Sequence, residues 1–132
     1  PGESPGPPCY CGKQGCIETF LSGPAFERDF RLKAEATKAE ATKAEATAGG
    51  GVPELYVDRM ARSLASVINI LDPDVIVLGG GMSNLVELYE AVPARWGRWV
   101  FGGEVSTRLV RARHGDSSGV RGAAWLWPDE LQ

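Results

Sequence analysis

Between Val57 and Leu71 the apolar residues Val57, Met60, Ala61, Leu64, Val67, Ile68 and Leu71 recur at steps of three and four. That spacing is the period of an α-helix with one buried face. Pro53 suits the first turn of this helix, where a missing N–H costs nothing. Asp72-Pro73-Asp74 stops it, because a residue preceding proline avoids the helical region. Val75-Ile76-Val77-Leu78 is an unbroken apolar run rich in β-branched side chains, which predicts a buried strand of a parallel or mixed sheet. The helix is expected to pack on that strand. Gly79-Gly80-Gly81 follows, then Met82-Ser83-Asn84 and a second helix from about Leu85 to Trp99. Phe101 to Glu104 reads as a turn, and Val105 to Ala112 alternates loosely as another strand. His114 to Ser118 is a loop rich in capping residues, and Gly119 to Trp127 is a final helix ended by Pro128.

Upstream, Ile17, Phe20, Leu21, Phe26 and Phe30 also fall at helical steps, with Gly23-Pro24 breaking the run near its middle. Residues 33–47 are three perfect copies of Lys-Ala-Glu-Ala-Thr. Ala, Lys and Glu favour helix, and Glu35 can pair with Lys38 and Glu40 with Lys43. No large apolar residue occurs from Ala34 to Gly51, so this stretch reads as a solvated helix or spacer without chemistry. The chain therefore divides into residues 1–32, the repeat spacer 33–51, and an α/β segment 52–132. Helix–strand–helix–strand–helix is an α/β order. Two strands are too few for an ordinary sheet, so the chain is expected to be part of a larger fold.

Composition adds limits. The 132 residues are 43% hydrophobic and 23% charged, with formal net charge -3. A mildly acidic chain is not a general nucleic-acid binder, whose footprint is basic. No run of apolar residues is long enough for a transmembrane helix. Pro1 to Pro8 is neither basic nor apolar and does not read as a secretory signal, so the expected location is cytoplasmic. It reads like the middle of a loop, as though the chain begins inside a longer protein.

Chemistry concentrates in Cys9, Cys11 and Cys16, the only cysteines. An odd count cannot form a complete disulfide framework. Gly12 and Gly15 allow a loop tight enough to aim three sulfurs inward, and thiolates are natural zinc ligands. The alternative is three reduced, buried thiols. A tetrahedral site needs a fourth donor; His114, the only histidine, is one candidate and is otherwise a polar loop residue.

The string Cys9-Tyr10-Cys11-Gly12-Lys13-Gln14-Gly15-Cys16-Ile17-Glu18 resembles the zinc loop of the ROK family (repressors, open reading frames and sugar kinases). The resemblance continues in Leu71 to Asn84, in Phe101-Gly102-Gly103-Glu104 and in His114 to Trp127, and within the family it is most similar to bacterial fructokinases of the manno(fructo)kinase type. The Lys-Ala-Glu-Ala-Thr block lies outside it.

The resemblance implies part of an actin-like, ribonuclease-H-like ATPase lobe, the C-terminal portion of a two-lobe kinase. It implies phosphate transfer from Mg-ATP to the 6-hydroxyl of a hexose such as fructose. Glucose or an N-acetylated hexosamine is an alternative substrate, and a sugar-responsive transcriptional repressor is an alternative function. Cys9, Cys11 and Cys16 match the family's structural zinc ligands, whose fourth is a histidine of an upstream Gly-His element. Glu18 matches the glutamate that accepts hydrogen bonds from sugar hydroxyls; its bland reading is a helix-start charge. Gly79, Gly80 and Gly81 match the nucleotide side of the cleft. They sit where a strand ends and a helix should begin, which suits an approaching phosphate, or simply a tight turn. Ser83 and Asn84 are candidate polar walls there, or caps. The family's phosphate-binding Asp-x-Gly-Gly-Thr element and catalytic aspartate have no match here, so the base is expected upstream and the chain is expected to be inactive alone. Expected partners are hexose, ATP, the N-terminal portion of the kinase and a second copy in a homodimer.

Overall fold

The computed structural model describes residues 3–40 and 51–126. Helix α1 (Glu18–Leu21) is followed directly by α2 (Gly23–Glu40). Ser22 breaks the run with an extended backbone, and its hydroxyl accepts from the Ala25 amide at 3.4 Å. The interruption thus falls where Gly23-Pro24 predicts it. The first eight residues of the repeat, to Glu40, continue α2, as their helix-forming composition dictates. Residues 41–50, the rest of the repeat, lie outside the described residues.

Helix α3 (Glu54–Leu71) is the centre of the fold. Pro53 stands one residue before its first turn, as the N-cap. Asp72 ends it in a left-handed conformation (φ 43°), its amide donating to Ile68 at 2.8 Å. Aspartate tolerates that region better than most side chains. Tyr56, Val57, Met60, Ala61, Ala65 and Ile68 are buried. They meet Leu88 of α4 (Leu88–Ala91), Val92, Trp96 of α5 (Pro93–Trp96) and Leu109 in one core. Burying each of the larger aliphatic side chains among these contributes about 1.5–3 kcal/mol.

The helix periodicity and the observed burial part company at one end. Val67 is 38% exposed and Leu71 70% exposed. On a helical wheel both lie within about 20° of Met60, so the face is the predicted one. Ile68 is still buried in these last turns, but no described element covers the edge of the face that carries Val67 and Leu71. Helix α3 packs chiefly on α5 and α1, whereas the sequence pattern placed it on the first strand. Ile76 and Leu78 of that strand border the same core.

Strand β1 (Val75–Leu78) pairs in parallel with β2 (Arg108–Arg111), in the register Val75 with Arg108 through Leu78 with Arg111. A parallel pair needs a long crossover, and the residues between Leu78 and Arg108 supply it. The strand is not buried as expected: Val77 is 56% exposed, because one sheet face has no covering layer among the described residues. The second strand is shorter than Val105 to Ala112. After a 3-10 turn (Gly81–Asn84), the single helix expected over Leu85 to Trp99 is instead two short ones, α4 and α5. Pro93 lacks the N–H that would join the last two into one helix. The final helix, α6, spans Ser118–Ala124; Trp127 and Pro128 lie outside the described residues. No described helix is long and apolar enough to cross a membrane.

Candidate functional site

The cysteine loop is folded by its own backbone. The Cys9 amide donates to Lys13 at 2.8 Å, Gly12 to Cys9 at 3.0 Å, and Gly15 to Pro7 at 2.9 Å. Gly15 has φ +67°, and a Cβ there would lie 2.7 Å from the Pro5 carbonyl oxygen. Glycine is therefore required immediately before Cys16.

This folding brings the three sulfurs within 4.8 Å of one another, with Cys11 and Cys16 at 3.6 Å. Thiolates bound tetrahedrally to one zinc ion stand about 3.8 Å apart, so the donor set fits a metal. Its electrostatics point the same way. The Lys13 backbone amide, with Cys9 and Cys16, holds the Cys11 thiol below its ordinary pKa, whereas hydrogen bonding and charge from Cys11 and Cys9 push Cys16 up to about 11. Three thiols this close resist full ionisation without a cation. His114 does not join them. It lies exposed on the loop after β2, beside Arg121, Gly122 and Trp125, and no histidine or carboxylate among the described residues completes the cluster.

Glu18 opens α1 two residues beyond Cys16, exposed to solvent. Its carboxylate raises the pKa of the neighbouring Tyr10 phenol, through hydrogen-bonding and charge interaction with it. Helix α1 buries none of its own residues and is tied down from outside. The Thr19 hydroxyl donates to the Cys16 carbonyl at 2.7 Å, Arg28 Nη2 to the Thr19 carbonyl at 3.2 Å, and the Tyr56 hydroxyl to the Leu21 carbonyl at 2.9 Å. Burial, with the charge of Asp29, pushes the Tyr56 phenol up to about 12.

Beside this loop lies an ionic network absent from the sequence reading. Arg59 of α3 donates from Nη1 to Asp29 at 2.5 Å and from Nε to Glu3 at 2.7 Å, and Arg62 reaches Glu3 at 3.0 Å. Burial alone would raise the Glu3 carboxyl, but hydrogen bonds and charge from Arg59 and Arg62 outweigh it and hold the pKa below its usual value. A groove of about 430 Å³ opens here, lined by Glu3, Gln14, Ile17, Phe20, Arg62 and Ser63 among others. One sequence signal was available: Asp29 lies three residues after Phe26, an acid on the apolar side of a helical pattern.

The glycine turn forms a second region, at the carboxyl ends of β1 and β2. The Gly80 amide donates to the Asp116 carbonyl at 3.2 Å, so the turn and the His114–Ser118 loop meet. Asn84 links them through its side chain, donating to Asp116 at 3.0 Å and accepting from Arg111. Hydrogen bonds from Asn84 and Ser117 lower the Asp116 pKa. Gly79 and Gly81 are exposed, with open space where a Cβ would stand. Ser83 is fully buried, its hydroxyl donating to the Gly80 carbonyl at 2.7 Å. Asn84 is the exposed polar neighbour. The glycines also open a short 3-10 turn, which lacks the dipole of the long helix expected there.

A profile of the ROK family matches residues 2–130. The chain belongs to the ROK family. It is 40% identical over 124 residues to an N-acetyl-D-glucosamine kinase of Pasteurella multocida, covering 90% of this chain and 41% of that protein. A kinase of the same name from Mannheimia succiniciproducens is 41% identical over 124 residues, with the same coverage. Among solved structures, a ROK family glucokinase from Streptomyces griseus in complex with glucose and AMPPNP superposes with a TM-score of 0.74 at 25% identity, over 92% of this chain and 47% of that one. A ROK hexokinase from Thermus thermophilus gives 0.64 at 32% identity, over 90% and 42%. The chain thus spans about two-fifths of the length of the curated relatives it matches. The α/β order read from the sequence is that of a segment of ROK sugar kinases.

Proposed function

We propose that this chain forms the sugar loop and nucleotide edge of an ATP-dependent hexose kinase. The observation that carries the reading is the placement of Glu18. A carboxylate stands exposed two residues beyond a cluster of three converging thiols, in a member of a family with sugar-kinase relatives. Cys9, Cys11 and Cys16 would hold a structural zinc ion, which orders the loop and takes no part in phosphate transfer. Glu18, as an ionised acid, accepts hydrogen bonds from two sugar hydroxyls. Gly79, Gly80 and Gly81 let the nucleotide of Mg-ATP approach the strand ends, with Asn84 rather than Ser83 as the polar neighbour. Phosphate passes to the sugar 6-hydroxyl. The base and phosphate cradle that this transfer needs are expected upstream, as is the histidine that completes the zinc site, and the full-length kinase is expected to be a homodimer.

The two relatives named above are N-acetyl-D-glucosamine kinases, which favours that hexosamine over the fructose suggested by the sequence motifs. Calorimetric titration of the zinc-loaded chain with N-acetyl-D-glucosamine, glucose and fructose ranks the three. Glu18→Gln is expected to weaken the best of them about tenfold or more, since hydrogen bonds to a charged group are worth about 1.5–3 kcal/mol. Equal binding by E18Q removes Glu18 from the site. With hexose and Mg-ATP, the chain by itself is expected to form no sugar phosphate; measurable turnover overturns the assignment of the base to other sequence.

A further inference from the structure

Helix α1 carries Glu18 but has neither length nor buried surface to hold itself in place. It is four residues long and buries none of them. A single helical turn is unstable in water, because its nucleation is costly. Its orientation must come from neighbours, and one side chain joins α1 to both the N-terminal segment and α2. The Arg59 guanidinium lies 4.9 Å from the centroid of the Phe20 ring, two residues after Glu18. The same group binds Glu3, in the segment that packs against Gly15 of the cysteine loop, through Nε at 2.7 Å and Nη2 at 2.6 Å. Its remaining nitrogen binds Asp29 of α2 at 2.5 Å. Asp29 in turn faces Arg28 at 3.4 Å, and Arg28 caps the Thr19 carbonyl of α1. Arg59 itself is anchored on the long core helix α3, with its side chain only 12% exposed.

We infer that Arg59 is a positioning residue, which holds the cysteine loop and the Glu18 helix at a set place on α3. The inference rests on the reading of Glu18 as the sugar ligand, and it adds the group that aims it. A planar fork with several donors suits the task, because one rigid group must satisfy two carboxylates and face a ring together. Lysine keeps the charge and loses that geometry. A binding group on a short element needs such support to stay aligned with its ligand.

Amide hydrogen exchange on the 132-residue chain tests the tether without metal or sugar. Arg59→Met is expected to speed exchange of residues 16–21 about tenfold, while Leu64–Leu71 and β1 stay within about twofold. Arg59→Lys should recover part of the protection. If R59M does not fold, Glu3→Gln, which leaves the Arg59–Asp29 pair intact, should loosen the same segment to a smaller degree. Unchanged exchange at 16–21, or equal acceleration throughout the chain, overturns the inference. A double-mutant cycle on hexose binding adds a second readout. Arg59→Met should weaken binding in the wild type and change it little in the Glu18→Gln background, because the two act as one unit. Full additivity overturns the link to Glu18. If the wild-type chain binds no hexose at all, the assignment of Glu18 falls, while the exchange data still judge the tether.

Discussion

The guanidinium of Arg59 and the carboxylate of Asp29 meet at 2.5 Å, with side-chain exposures of 12% and 4%. Thirty residues apart in sequence, they join the two long helices at a nearly sealed contact. Removing one partner of such a pair leaves the other charge short of compensation. Asp29→Ala is expected to cost about 3 kcal/mol, the lower end for a broken buried pair, because Glu3 still faces Arg59. Urea denaturation measures this. A midpoint equal to that of the wild type would falsify the assignment.

Glu3 makes the network sensitive to acid. Its carboxyl titrates below the ordinary value of 4.5 because Arg59 and Arg62 stabilise the ionised form against its own burial. A depressed carboxylate contributes stability above its unfolded value, and that contribution is lost as pH falls through the folded one. The wild type is therefore expected to lead Glu3→Gln in stability near neutral pH and to lose that lead below about pH 4.5. Thermal melts of both proteins across this range should converge on the acid side. A constant gap contradicts the prediction.

Tyr56 offers the opposite window. Its phenol, pushed up to about 12, stays neutral in the fold after a free tyrosine has ionised. The stability it contributes is present below pH 10 and declines as pH rises toward 12, since only the unfolded chain ionises there. Tyr56→Phe removes the hydrogen bond to Leu21 and should cost about 1 kcal/mol at neutral pH. Chemical denaturation should show that deficit shrinking above pH 10. A deficit that grows with alkaline pH rejects the burial argument.

Gly15 tests the shape of the cysteine cluster. Alanine there meets both a positive φ of +67° and the Pro5 oxygen at 2.7 Å. The left-handed conformation alone costs roughly 1–2 kcal/mol. Gly15→Ala should move Cys16 relative to its partners and weaken cobalt binding about tenfold, followed by the thiolate charge-transfer absorption. Unchanged cobalt affinity shows that the loop tolerates the shift.

What the sequence by itself determined is local. Cys9, Cys11, Cys16 and Glu18 lie within ten residues of one another. Two glycines and a few short-range hydrogen bonds suffice to fold them together. The period of α3, its stop at Asp72 and the strand Val75–Leu78 are likewise properties of adjacent residues. Packing decided the rest. Periodicity named the inward face of α3 but not that its last turns stand uncovered at Val67 and Leu71. A glycine run after a strand suggested a ligand turn, but only the fold showed Ser83 turned inward and Asn84 joined to Asp116. The partners of Arg59 lie 30 and 56 residues away. A surface arginine and an ion-paired one have the same local sequence signature, so their pairing is set by how the helices meet.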